Sequence, residues 1–129
     1  MKRLLFGLST LLICFLLTAC GSPADKMKSI VEDMTENGNE WTDDDQWYSV
    51  LKDAAQCFIE FSESNPDKES FTQFMDYYAN MNDAMIGFDN NEARNACRKA
   101  QKRLEEDSDF QKKLNIAMDK MEELEEKFK

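Results

Sequence analysis

From Pro23 to the C-terminus, apolar residues recur three and four positions apart in five successive stretches. That spacing lays side chains along one face of an α-helix. Met27, Ile30, Val31 and Met34 mark the first face. Trp47, Leu51, Ala54, Phe58 and Phe61 mark the second, widened by Val50 and Cys57. Phe71, Phe74, Met75, Tyr78, Met81 and Met85 mark the third, and Ala93, Cys97, Ala100 and Leu104 form a narrow fourth of mostly small residues. Phe110, Leu114, Ala117, Met121, Leu124 and Phe128 follow at strict four-three spacing, the period of a coiled-coil seam. Propensity agrees: only nine residues from 20 to 129 are Val, Ile or Thr. The expected fold is all-α, an up-and-down bundle of four to five short amphipathic helices.

Punctuation residues set the expected boundaries. Ser22-Pro23-Ala24-Asp25 reads as an N-cap, a first-turn proline and an acid at the positive helix end, and Asn37-Gly38 as a stop. Thr42 or Asp43 caps the second helix, Asn65 with Pro66 opens the third and Gly87 closes it. Asp89 and Glu92 have the spacing of a capping box. Extending the fourth stripe beyond Leu104 lands on the polar Asp107 and Gln111. A break at Asp107-Ser108 is therefore expected, with Ser108 and Gln111 as another capping box; one bent helix is the alternative.

The first twenty residues read differently. Lys2 and Arg3 precede a nearly unbroken apolar run from Leu4 to Leu17, too short to cross a membrane, which needs about 20 such residues. The run ends in Leu17-Thr18-Ala19-Cys20, which resembles the lipobox of bacterial lipoproteins. The resemblance covers these residues alone. It implies a signal peptide over 1–19, cleaved before Cys20; the helix signals make the remainder, 20–129, a single helical domain. It also implies that Cys20 carries diacylglycerol and an acyl chain, which would hold the protein on a membrane of the bacterial envelope. Gly21 stands where an aspartate would signal inner-membrane retention in that family, so the outer membrane is the favoured address. With α-helix signals beginning at Ser22, the domain would sit close to the bilayer with almost no tether.

Composition removes most catalytic chemistry. The 129 residues include no histidine, which excludes Ser-His-Asp and Cys-His catalysis, imidazole metal ligation and a histidine pH switch. Four glycines and two prolines leave nothing for a glycine-rich phosphate loop. The glutamate pairs at 105–106, 122–123 and 125–126 lie on strongly polar faces, with no burial to separate their pKa values for acid-base work. Asp43-Asp44-Asp45 and Asp89-Asn90-Asn91 lack the twelve-residue oxygen-ligand loop that calcium needs, and helix N-terminal charge explains both. No metal, no cofactor beyond the lipid on Cys20 and no enzymatic activity are expected.

Three further features bear on function. Cys57 and Cys97 are the cysteines left once Cys14 departs with the signal and Cys20 is acylated. In an oxidising compartment a bridge between them is expected, closing a loop of about 41 residues for roughly 4 kcal/mol; two buried thiols are the alternative. Arg94, Arg98 and Lys102 share one side of the fourth helix and offer an anion-contact strip, unless they serve to neutralise the acidic helices of their own bundle. Charge is lopsided: residues 25–92 hold 17 acids and 4 bases, residues 93–129 hold 9 and 10.

The favoured function is a non-enzymatic, lipid-anchored interaction or structural module that meets the membrane through its anchor and binds another envelope protein, with no nucleic acid partner. An inhibitor or immunity-type protein that neutralises a basic toxin or hydrolase is the alternative, since an acidic surface steers a cationic partner. A carrier of an apolar ligand is a third. The seam at 110–128 also offers a surface for homo-oligomerisation. The methionines are expected mainly as core filling, with an adaptable binding groove as the other use. Trp47 is assigned to the core and Trp41 is left free to be exposed.

Overall fold

The computed structural model describes residues 22–129, so the expected signal peptide over 1–19 and Cys20 lie outside the described residues. The fold is all-α: five helices pack against one another, with no strand among the described residues. They are α1 (Pro23–Asn37), α2 (Asp44–Ser62), α3 (Lys68–Ile86), α4 (Asn91–Glu105) and α5 (Ser108–Lys127), with a short 3-10 turn at Gly38–Glu40. No described helix is long and apolar enough to cross a membrane.

Each start is fixed by a side-chain oxygen that accepts an otherwise unpaired N–H. Ser22 accepts from Asp25 N at 3.2 Å, Asp43 from Asp45 N at 3.0 Å, and Asp67 from Ser70 N at 2.8 Å. Asn90 accepts from Glu92 N at 2.9 Å and Asp107 from Phe110 N at 3.1 Å. Three expected caps therefore shift. Asn65 is no cap: its φ of 55° makes it the left-handed turn residue before Pro66, a conformation asparagine tolerates, and Asp67 opens α3. Asn90 replaces Asp89. The break after α4 falls where expected, but Asp107 caps α5, while Gln111 donates its side-chain N–H to Leu104 O at 2.9 Å.

The central element is α2. Helix α1 lies against α2 and α3, whereas α4 and α5 lie against α2 and touch each other. The two ends of α4 are tied to one short segment: Asn90 donates two hydrogen bonds of 3.0 Å to Asn39, and Arg103 donates to Asp44 and Asp45. The helix consequently crosses the N-terminal part of α2. Its small residues Ala96, Cys97 and Ala100 permit that close approach, all three being buried. From there α5 follows α2, with Phe110 beside Lys52 and Ala117 beside Ile59 and Ser62. Phe110, Ala117 and Met121 of the coiled-coil-like seam are buried in the chain's own core.

Large aromatics separate α2 from α3. Phe61 and Phe74 stack with ring centroids 4.1 Å apart, and Phe58 meets Phe74 at 6.1 Å and Tyr78 at 5.2 Å. The closest backbone approaches of α3 are to α1 instead. At the other end of the bundle, Trp41 is buried. Its ring meets Trp47 edge to face, and Phe88 closes on Trp47 from beyond. Gly38 sits under that cluster: a Cβ there would come within 2.5 Å of Phe88 Cζ. The glycine that ends α1 is thus required by packing, for its φ of −57° suits any residue.

Candidate functional site

Because aromatics hold α3 away from α2 while small residues draw α4 onto it, a cleft remains between α3 and α5. Two joined hollows of about 400 and 390 Å³ share Phe58, Tyr78 and Met118. The floor is α2, through Leu51, Ala54 and Phe58. One wall is α3, carrying Phe71, Met75, Tyr78, Met81 and Met85, and the other is α5, carrying Leu114, Met118 and Met121. Leu104, Gln101 and Glu105 of α4 close the end nearest the crossing.

The methionines divide between two roles. Met27 and Met34 are fully buried between the helices. The other five from residue 22 onward, Met75, Met81, Met85, Met118 and Met121, all border the cleft. Met81 and Met121 are buried in its base, Met75 and Met85 are half-buried, and Met118 is 51% exposed on its lip. Unbranched and polarizable, methionine adapts to a varied apolar surface, so this wall can repack around what it touches.

Charge around the cleft has one sign. Asp76, Glu105, Glu122 and Glu125 line it, and no lysine or arginine does. Two bases of α5 face away: Lys113 and Lys120 border a separate hollow with Glu63 on the far flank of that helix. A concave apolar floor with four carboxylates on its rim can hold an apolar face and attract positive charge beside it. It holds no nucleophile paired with a base.

The residues singled out from sequence are not brought together. Cys57 and Cys97 stand as free, buried thiols. Cys57 borders a hollow toward Asp25, Ser29 and Ile30 of α1, whereas Cys97 borders one toward Asn82, Met85 and Ile86 of α3. Burial pushes each thiol up to about 11, with Glu60 adding to the effect at Cys57.

Arg94, Arg98 and Lys102 form no ion pair among the described residues. Arg94 donates to Phe88 O and Asn91 Oδ1, and Arg98 to Asn95 Oδ1. The first two border a hollow beside Ile86, which is 79% exposed. Neutralisation within the bundle falls to Arg103 instead. It reaches Asp44 at 3.1 Å and Asp45 at 2.7 Å while lying over the Tyr48 ring at 4.1 Å. The carboxylates of Asp43, Asp44 and Asp45 cluster closely, and the guanidinium of Arg103 pairs with the last two.

Sequence reading assigned the cleft methionines to the core because all but Met118 lie on an apolar stripe. The available signal was the company they keep: no lysine or arginine occurs between Lys68 and Arg94, the stretch that supplies the α3 wall. No protein-family model, curated protein or solved structure matches the chain.

Proposed function

We propose that the protein is a non-enzymatic, lipid-anchored interaction module of the bacterial envelope, moored through acylated Cys20 and holding a partner protein in the α3–α5 cleft. The lipobox-like Leu17-Thr18-Ala19-Cys20 supports the anchor. The observation that carries the binding role is the gathering of five methionines on one open cleft, an apolar surface of the kind that marks interaction sites on otherwise polar proteins. The first residue capping α1, Ser22, lies two positions after Cys20, so the bundle rides close to the membrane.

The one-signed rim favours a second reading within the same architecture, an inhibitor or immunity-type protein that neutralises a basic toxin or hydrolase. The two readings share a partner-binding cleft and differ in what binding does to the partner.

The test places a photo-crosslinking amino acid at position 118, on the cleft lip, or at 116, on the far flank of α5, in cells fed alkynyl palmitate. The proposal expects palmitate on the parent, none on Cys20→Ser, and a discrete adduct from position 118 alone. Equal adducts from both positions, or palmitate on neither protein, contradict it.

A further inference from the structure

We infer that the occupant of the cleft is a single amphipathic, positively charged α-helix of a partner protein, about four turns long. The inference rests on the cleft being the receptor face, and three features choose this occupant.

The first is length. The α3 wall runs from Phe71 to Met85 and the α5 wall from Gln111 to Glu125, each about 21 Å at 1.5 Å per residue. A helix of about 14 residues spans that distance and presents apolar side chains at i, i+3, i+4 and i+7 along one stripe. The second is form. The hollow is a trough and not an enclosed cavity, since Met118 on its lip is 51% exposed and Met75 and Met85 are half-buried. Sites for small apolar ligands bury most of the ligand, whereas a trough leaves one side of its occupant in water. A rod with an apolar and a polar face satisfies that geometry.

The third is charge. Asp76 stands on the α3 side, Glu122 and Glu125 on the α5 side and Glu105 at the α4 end, so carboxylates flank the trough along its length. Lys113 and Lys120 of α5 are turned to the opposite flank. Lysines or arginines on the shoulders of a docked helix would meet carboxylates on both sides, and an acidic helix would meet like charge throughout.

The inference is tested on the protein as isolated, held in nanodiscs of zwitterionic lipid where its anchor requires them. The probe is a fluorescent 14-residue leucine-lysine peptide with leucines on one helical face. Controls are a scrambled peptide of equal composition, the same pattern with glutamate for lysine, and cis-parinaric acid for an acyl chain. Fluorescence anisotropy is expected to show binding of the first peptide at least about tenfold tighter than of either peptide control. Met118→Lys is expected to weaken it by about tenfold or more. Glu122→Gln with Glu125→Gln should weaken it severalfold at low salt, with the difference closing as salt rises. Ile116→Lys, on the far flank, should leave it unchanged.

Equal binding of the scrambled or glutamate peptide overturns the inference. So does indifference to Met118→Lys, or parinaric acid binding that is lost in Met118→Lys while the peptide fails to bind. A crosslinked adduct at position 118 without peptide binding would remove the helix and leave the receptor role standing. Loss of both would remove the two together.

Discussion

The indole N–H of Trp47 donates to the carbonyl oxygen of Trp41 at 2.7 Å, and the two rings meet at 76° with centroids 5.0 Å apart. This pair joins the loop after α1 to the start of α2, and both residues are buried. Trp47→Phe keeps most of the ring but leaves a buried carbonyl unpaired, at a cost of about 1–3 kcal/mol. Trp47→Ala also opens a cavity and is expected to cost about 3–5 kcal/mol. Urea unfolding checks both. Since Trp41 and Trp47 are the chain's two tryptophans, native emission should be blue-shifted and move to the red in a single step on unfolding.

Gly38→Ala sets two effects against each other. With φ at −57°, alanine would gain helix propensity of up to about 1 kcal/mol. Its methyl would press on Phe88 Cζ at 2.5 Å and on Trp47 at 3.2 Å, and overpacking of this kind costs about 1–3 kcal/mol. Phe88 is buried and cannot swing away, so the clash wins. Thermal unfolding should show a lower Tm for Gly38→Ala; an equal or higher Tm would refute this placement of Phe88.

The buried thiols make stability fall in alkali. Unfolded, Cys57 and Cys97 ionise near 9.0, while in the fold they keep their protons up to about 11. Unfolding therefore releases protons in that window, and stability is lost as pH rises from 9 towards 11, with no contribution below it. A Cys57→Ala, Cys97→Ala double variant should lose less stability between pH 8 and 10.5 than the parent does. Without reductant, both cysteines should react with iodoacetamide only after denaturation. A bridge would keep them unlabelled even then.

Acid acts at a different place. Backbone and side-chain hydrogen bonds from Ser70 hold the Asp67 carboxyl below its ordinary 3.8. The cap therefore contributes in full above that value and is lost as pH falls through the depressed one. Amide exchange at Ser70 and Phe71 should accelerate in that acid range, and Asp67→Ala should abolish the pH dependence.

Helix number, core faces and the break before α5 were legible because each depends on neighbours in sequence: spacing, propensity and short-range caps. Asp107 and Asp67 were harder to place, since several adjacent polar residues can cap and only the backbone path selects one. Trp41 could not be assigned to the core from its position between helices, because its burial depends on Trp47 and the distant Phe88. The surroundings of the two cysteines were illegible for the same reason. Two cysteines on apolar faces show that each is covered, and the covering helices, α1 for Cys57 and α3 for Cys97, are a matter of tertiary packing. The cleft was the least legible feature. An apolar stripe does not reveal that Phe58, Phe61 and Phe74 will hold two helices apart while Ala96 and Ala100 bring two others together.

Oxidation offers an independent reading of the cleft. Met118 is half exposed and Met27 and Met34 are fully buried. Under mild peroxide, sulfoxide should form first at Met118, then at Met75 and Met85, and last at Met27 and Met34. Peptide mapping by mass spectrometry checks the order.

The most direct measurement is methyl NMR of protein carrying ¹³C-labelled methionine, titrated with the leucine-lysine peptide. The resonances of Met75, Met81, Met85, Met118 and Met121 should shift together and saturate at one peptide per chain, while Met27 and Met34 hold their positions. Unmoved cleft methyls, or equal shifts at Met27 and Met34, would contradict a receptor cleft between α3 and α5.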